Sequence, residues 1–136
     1  MVETVFSANN REQIMVLPFT PVGLEFEEPQ DNGTFDGLSR GRRVIGTMQP
    51  RTASWSSRFF RRRQPWMHPQ SSDDPMAYVD FFRRWRQAHV PIRIVQTSGE
   101  REIVNMAVLV DDFSWSLTRT GDIAYSMTVS EYEFIR

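Results

Sequence analysis

The sequence predicts an α+β fold in which mostly antiparallel strands accompany one main amphipathic helix at about residues 75–89. Two patterns carry this prediction. Apolar residues recur with helical spacing in PMAYVDFFRRWRQAH, whereas the later segments DFSWSLT and IAYSMTVS alternate with a period of two. A third observation bounds the size, because 136 residues with 40% hydrophobic side chains suit one domain with a modest core. We therefore assign residues 1–136 to a single domain.

The predicted helix has recognisable start and stop signals. Asp73 or Asp74 can cap its first turn, and Pro75 suits the first helical position, where the missing N–H would be unpaired in any case. Pro91 ends the helix. We expect the core-facing stripe to contain the residues at positions i, i+4, i+7 and i+11, namely Tyr78, Phe82, Trp85 and His89.

The chain after the helix predicts strands that end in a C-terminal β-hairpin. Residues 102–110 are apolar on both faces, which is typical of a central strand covered on both sides. The two alternating runs that follow are joined by the short loop 119–122, and we expect Phe113, Trp115 and Leu117 to lie in the core. The apolar parity slips after Val129, which predicts a bulge or a bend there.

The first half of the chain predicts further strands. TVFSANNREQIMVLP indicates two strands around an Asn-rich turn, and Asn32-Gly33 is a turn signal that can close a hairpin. Residues 42–55 fit either one strand or two strands broken at Pro50. Residues 64–75 are expected to form a loop.

The charges are segregated along a chain whose net charge is −1. Residues 37–72 carry eight arginines and no acid, whereas residues 1–36 carry seven acids and one arginine. Residues 100–136 are again acidic, and every basic residue in the chain is arginine. Because acidic segments flank the basic one, we expect them to pair within one chain or between neighbouring copies.

Several function classes lose support from what the sequence lacks. Cysteine is absent, so disulfides and thiol catalysis are excluded, and no apolar run is long enough to span a membrane. We see no secretory signal, no phosphate-binding loop, no nucleophile elbow and no metal-binding spacing. We therefore expect no enzyme, no cofactor and no metal. The two histidines, His68 and His89, are assigned to a structural loop and to the helix dipole.

The segment RFFRRRQPWMHPQ (58–70) interleaves arginines with aromatic residues, and two functions fit it. One is a protein interface, since arginine and aromatic residues are enriched in interface cores. The other is a single-stranded nucleic-acid-binding module that uses the tract 58–66, but the acidic pI of about 6.1 and the absence of known motifs disfavour it. The candidate interface residues are Arg58, Phe59, Phe60, Arg61, Arg62, Arg63, Trp66, Arg83 and Arg84.

A resemblance to a known family favours the interface. The chain contains LPFTP (17–21), SSRFF (56–60), PMAYVDFFRRWRQAHVPIRIV (75–95) and NMAVLVDDFSWSLTRTGDIAYSMTVSEYEFI (105–135). This order resembles the N-terminal domain of the LysM-bearing tail proteins of PBSX-like phages and related contractile particles. Gly121-Asp122, Tyr125-Ser126 and Glu131-Tyr132 are its most specific part. The chain departs from the family at Arg61, where a proline is typical.

The resemblance implies a structural protein of the distal tail or baseplate of a phage or phage-tail-like particle, made in the host cytoplasm and located in the virion. Its expected partners are other tail proteins, namely tube, hub or spike, and baseplate wedge, and it is expected to self-associate in a symmetric ring. We expect no LysM domain in this chain. We therefore do not expect peptidoglycan as a partner. The lack of a long apolar run predicts no membrane partner, and we rank nucleic acid below protein.

Overall fold

The computed structural model describes residues 2–36 and 41–133, with the side chains of 33–36, 41, 42 and 44 left outside the description. These ranges contain a helix and strands in the following order: β1 (Val2–Ala8), β2 (Gln13–Val16), β3 (Glu25–Glu27), β4 (Gln30–Asp36), β5 (Gly41–Met48), β6 (Thr52–Phe59), α1 (Pro75–Gln87), β7 (Ile92–Ser98), β8 (Arg101–Leu117) and β9 (Ile123–Glu131). The predicted α+β class, with mostly antiparallel strands, one main helix and a C-terminal hairpin, is confirmed.

Seven strands form one antiparallel sheet in the order β2-β1-β7-β8-β9-β6-β3. The long strand β8 belongs to both halves of this sheet, because Arg101–Val108 pairs with β7 and Val108–Leu117 pairs with β9. Strands β4 and β5 pair only with each other and form a separate hairpin. Pro50 separates β5 from β6, so the two-strand alternative for residues 42–55 is correct.

Helix α1 packs on one side of the sheet, which we call the covered face, and the opposite side is the open face. The buried stripe of the helix packs in the core with Phe6 of β1 and consists of Tyr78, Val79, Phe81, Phe82 and Trp85. The expectation that His89 belongs to this stripe is wrong, because His89 is exposed beyond the end of the helix. The ring of Phe6 is edge-on to Phe82 at a centroid distance of 5.1 Å and stacks on Trp55 at 6.2 Å. Since burying one such ring stabilises a fold by about 1.5–3 kcal/mol, these contacts fix the helix on the sheet.

The two ends of α1 explain its length. The Asp74 side chain accepts a hydrogen bond from the Met76 backbone N–H at 3.0 Å, so Asp74 is the N-cap and Pro75 is the first helical residue. At the other end, His89 adopts a left-handed backbone with φ of 59°. Its N–H bonds to the Arg86 carbonyl, and the Val90 N–H bonds to the Trp85 carbonyl. This is a Schellman motif, so His89 closes the helix through its backbone.

Coverage of β8 differs from the prediction. The expectation that residues 102–110 are covered on both sides is wrong, because Ile103 is 49% exposed and Leu109 is 43% exposed. Phe113 packs against the core as expected, but Trp115 and Leu117 are 39% and 67% exposed. Leu109 lies on the open face, which no helix covers, because its neighbours Val108 and Val110 face the core. Trp115 and Leu117 are exposed because the 13 residues of α1 span about 20 Å, whereas the 17 residues of β8 span about 56 Å, so the helix covers only part of the strand.

Two turn and bulge predictions fall in the wrong place. Asn32-Gly33 lies inside β4, and the connection at 37–40 is outside the described residues. Strand β9 continues regularly past Val129 to Glu131, and the irregularity is in β8 instead, between Val110 and Asp112. Phe134, one of the apolar residues after Val129 whose position shows the change of parity, lies outside the described residues.

The left-handed backbone at the helix end yields a stability prediction. Replacing His89 with glycine removes the steric penalty of a side chain at positive φ, so His89→Gly should raise the free energy of unfolding by about 0.5–1 kcal/mol in urea titrations. Ala88→Gly is the matched control, because Ala88 has a right-handed backbone, and it should lower stability by a similar amount. A variant His89→Gly that is less stable than the parent protein would contradict the assignment.

Candidate protein interface

The Arg/aromatic tract divides into a buried part and a surface part. Phe59 is the last residue of β6 and is only 1% exposed. Its ring lies between Tyr78 and Tyr125, at centroid distances of 4.4 and 4.1 Å. The prediction of Phe59 as an interface residue is therefore wrong, because its side chain joins the helix to two strands and is inaccessible to a partner. Arg58, one residue earlier, points to the exposed side.

The stack around Phe59 is completed by buried polar contacts. The Trp55 indole N–H donates to the Tyr125 hydroxyl at 3.1 Å, and burial raises the pKa of Tyr125 to about 12. The Tyr78 hydroxyl donates to the Val16 carbonyl at 2.6 Å and accepts from the Ser72 N–H at 3.0 Å. Burial also raises the pKa of Tyr78. Both hydroxyls therefore stay protonated across the physiological range and act as structural links.

Phe60 and Trp66 form a surface aromatic group with Phe19, which we call the Trp66 cluster. Trp66 is edge-on to both phenylalanines at centroid distances of 5.3 Å, and Phe19 lies 6.1 Å from Phe60. The indole remains 50% exposed. This cluster is a preorganised apolar surface, and such an aromatic group suits an interface anchor.

The arginines of the tract differ in their availability. Arg63 donates to the carbonyls of His68 and Ser71 and pairs with Asp73, so it fixes the loop before the helix. The backbone N–H of Arg61 donates to Asp122 at 2.8 Å, and its side chain lies against Gly121. The Gln64 side chain donates to the Arg62 backbone carbonyl, but among the described residues no hydrogen bond or ion pair engages the side chains of Arg58, Arg61 or Arg62. Because the Arg61 side chain lies against Gly121, Arg58 and Arg62 are the open cations of the tract.

The helix arginines have their own neighbours. Arg84 lies over Trp85 at 4.5 Å and pairs with Glu12 at 3.8 Å. Arg83 lies 6.0 Å from the Trp115 ring. The contacts of the tract arginines are with residues 68–73 and 121–122, so among the described residues the two groups of arginines share no contact residue.

His68 holds the same loop. Its Nδ1 accepts from the Gln70 N–H, so its Nε2 carries the proton and faces the Glu3 carboxylate at 3.0 Å. The backbone N–H of His68 also donates to the Pro18 carbonyl at 2.8 Å. These contacts fit the structural loop role assigned to His68.

The β4–β5 hairpin, Gln30–Met48, is a feature that sequence reasoning missed, and we call it the arm. It forms no extended contact with α1 or the seven-stranded sheet among the described residues. Ile45 is 87% exposed and Met48 is 57% exposed. The available signal was the pair Pro29 and Pro50, which bracket the arm, because proline is excluded from the interior of a sheet.

A close backbone approach fixes the register inside the arm. The Gly46 N–H donates to the Asn32 side-chain oxygen at 2.9 Å, beside a register shift between Asp31 and Gly33. A Cβ atom at Gly46 would collide with the backbone carbonyl oxygen of Asp31. Only glycine fits at this position.

The root of the arm is held by Arg51, the residue after Pro50. Its guanidinium bonds to Glu131 at 2.9 Å and lies 3.9 Å from Glu28, and its backbone N–H bonds to the Glu131 carboxylate at 3.1 Å. Hydrogen bonds from Arg51 lower the pKa of Glu131. Since Glu28 precedes the arm and Arg51 follows it, this group of charges fixes both ends of the arm on β9.

The described residues contain no group of three or more His, Cys, Asp or Glu side chains placed to hold a metal ion. In the same part of the chain, no helix has the length and apolar character needed to cross a membrane. A scan against models of known protein families finds no match, and a search of curated protein sequences finds no significantly similar protein.

The different positions of Phe59 and Phe60 yield a matched pair of variants. Phe59→Ala removes a fully buried ring and should lower the free energy of unfolding by about 3–5 kcal/mol. Phe60→Ala removes a partly exposed ring and should cost about 1 kcal/mol or less. Thermal and urea unfolding of both variants test this, and equal losses would contradict the assignment of only Phe59 to the core.

The Arg51–Glu131 pair yields a pH prediction. The pKa of Glu131 is lower in the folded chain than its ordinary value of 4.5, so the pair contributes fully above that pH and is lost as pH falls through the folded pKa. Glu131→Gln should therefore lower stability by about 1 kcal/mol at pH 7, and the difference from the parent protein should shrink below pH 4.5.

The control for this prediction is Glu100→Gln, at an exposed turn between β7 and β8. It should leave stability nearly unchanged over the same pH range. A Glu131→Gln deficit that persists undiminished at low pH would show that the charge of Glu131 is not what holds the root of the arm.

Proposed function

We propose that this chain is a structural subunit that joins neighbouring proteins in an assembly. We further propose that the assembly is the distal tail or baseplate of a phage or phage-tail-like particle. The arm is the observation that carries the first step, and the family resemblance supports the second.

The arm has the properties of a segment that a neighbouring protein stabilises. A two-stranded hairpin with no third strand or helix against it is only marginally stable in water. The arm nevertheless exposes Ile45 and Met48, which a protein surface would shield from water. Its root is fixed by Arg51, so a partner that grips the arm is connected directly to the rigid sheet.

The open cations and the Trp66 cluster supply a second contact region. Arg58 and Arg62 are exposed and flank Phe59 and Phe60 in the sequence. Trp66, four residues after Arg62, is half exposed. Arginine and tryptophan are enriched among residues that dominate binding energy. With acidic segments at both ends of the chain, such a surface suits contacts to a second copy or to an acidic tail protein.

The resemblance supplies the identity of the assembly. It rests on the ordered motifs from LPFTP to the 105–135 segment, and it points to tube, hub or spike, and wedge proteins as partners in a symmetric ring. The alternative, a single-stranded nucleic-acid-binding module, loses part of its tract in the structure. Phe59 is buried and Arg63 is engaged with its own loop, so fewer residues remain to stack on bases or pair with phosphates.

Particle composition and one matched pair of variants test the proposal. The chain should be found by mass spectrometry and electron cryomicroscopy at the distal end of purified particles. When a deletion is complemented with Gly46→Ala, which prevents formation of the arm, the yield of complete particles should fall by at least about tenfold, equivalent to a docking loss of about 1.4 kcal/mol. Gly23→Ala is the control, because a Cβ there meets no atom within 4 Å.

Two outcomes would overturn the proposal. One is absence of the chain from particles, and the other is normal assembly with Gly46→Ala although hydrogen exchange shows that the arm has opened. A submicromolar affinity for single-stranded DNA or RNA that falls steeply with salt and disappears in Arg58→Ala/Arg62→Ala would favour the nucleic-acid alternative.

A further inference from the structure

Half of β8 has an unpaired edge. On the side away from β9, β7 pairs with β8 only as far as Ile92, which lies opposite Val108. The chain before Ile92 turns into the end of the helix, because Pro91 has no N–H and the Val90 N–H is used by the helix cap. No strand of the described chain therefore lies beside Val110–Leu117, which we call the β8 edge.

The register shows which backbone groups are unpaired. The Thr118 N–H donates to the Asp122 carbonyl at 2.8 Å, so Thr118 faces β9. In an antiparallel pair, alternate residues direct their N–H and C=O groups to opposite sides. Phe113, Trp115 and Leu117 therefore direct theirs away from β9. Among the described residues, no backbone or side-chain hydrogen bond reaches these groups.

A groove runs between this edge and the helix. It has a volume of about 350 Å³ and is lined by Val79, Arg83, Arg86, Gln87, Phe113 and Trp115. One wall is the last turns of α1, and the other is the covered-face side chains of the β8 edge. An extended peptide fits such a space, because it pairs its backbone with the strand and directs every second side chain toward the helix.

The charge in the groove selects the peptide. Arg83 and Arg86 have no ion-pair partner among the described residues, and no acidic side chain lines the groove. Arg83 lies over Trp115, so the cation is held at the edge itself. Asp80 precedes Arg83 by three residues on the helix but does not line the groove. Asp111 and Asp112 lie at the bulge where the edge begins, and Asp111 lines a neighbouring cavity with Arg86, so the favourable potential is concentrated at the later part of the edge near Arg83.

We propose that the β8 edge binds an acidic extended segment of a partner protein as an additional β-strand. Side chains on the covered face of that segment meet Arg83, Arg86 and the Trp115 ring. Those on the other side meet the small polar residues of the open face, such as Ser114 and Ser116. This proposal goes beyond the assembly role and does not depend on the assembly being a phage particle.

A second copy of the chain fits this edge less well. The acidic edge strand β3 pairs Phe26 with the buried Ala53, so Glu25 and Glu27 lie on the open face of their own copy. They meet Arg83 and Arg86 of a neighbour only if the two sheets join with opposite faces on the same side, which interrupts the covered face. Two β8 edges joined by a twofold axis would place like charges together on the covered face. An acidic segment from another protein avoids both conflicts.

A fluorescent probe peptide tests the proposal on the purified full chain. The probe is fluorescein-Ser-Glu-Thr-Val-Ser-Glu-Thr, in which Glu, Val and Glu share one face of the strand. The matched control replaces both Glu residues with Lys. The Glu probe should bind at least about tenfold more tightly in fluorescence polarisation, and this preference should decrease with salt. Equal binding of the two peptides, or no binding of the Glu probe up to about 1 mM, would overturn the proposal.

Two pairs of variants locate the binding. Leu117→Pro removes an edge-facing N–H without touching the ladder to β9, whereas Leu117→Thr keeps that N–H. Arg83→Glu/Arg86→Glu reverses the groove charge, and Arg11→Glu/Arg101→Glu makes the same charge change at exposed residues outside the groove and outside the Arg/aromatic tract. Leu117→Pro and the double groove variant should each weaken probe binding at least about tenfold. Leu117→Thr and the double control variant should each change probe binding about twofold or less. Circular dichroism confirms that each variant folds.

Two results would overturn the assignment of the occupant or the site. Unchanged binding to folded Leu117→Pro would exclude strand addition at this edge. Concentration-dependent dimerisation in analytical ultracentrifugation that Leu117→Pro abolishes would show that a second copy occupies the edge. Because the readout is peptide binding in solution, failure here would leave the particle experiment unaffected.

Discussion

The side chain of Tyr78 connects the helix to β6, to β2 and to the loop before the helix, and through Phe59 to β9. Its ring stacks on Phe59, which stacks on Tyr125, so one column of rings joins α1, β6 and β9. Its hydroxyl reaches the Val16 carbonyl at the end of β2 and the Ser72 N–H in the loop before the helix. Because Phe59 is fixed in this column, the chain after it leaves the core, and Phe60 and Arg61–Arg63 lie at the surface. The hydrogen bonds of Arg63 and His68 then fix the loop that follows.

The parts predicted from the sequence are those that local patterns determine. The Asp74 cap, the helical stripe and the C-terminal hairpin each depend on residues close in sequence. Local patterns do not determine which strand residues the helix covers. Whether Trp115 and Leu117 are buried depends on how far α1, which comes from another segment, reaches along β8. The alternation of DFSWSLT is that of a core strand, yet α1 is too short to cover its end.

The candidate interface shows the same limit. Composition identified the tract 58–70, but it did not distinguish Phe59 from Phe60, since that depends on which face of β6 meets Tyr78. The arm was missed because Asn32-Gly33 is a strong turn signal that the register overrides, with a shift at Asp31/Gly33 and a glycine at position 46 opposite it. The Arg51–Glu131 pair joins residues 80 positions apart, which no local pattern can indicate.

Helix α1 and the seven-stranded sheet thus bury a shared core, whereas the arm is fixed to them only at its root. Amide hydrogen exchange on the isolated chain measures this contrast most directly, because it reports the opening free energy of each segment. We expect slow exchange, with opening free energies near the global unfolding free energy, for amides of the β6–β9 ladder, and much faster exchange for the arm amides at residues 31–36 and 41–47. Arm amides that are as protected as those of β6 and β9 would contradict this expectation, because the arm would then need no neighbour.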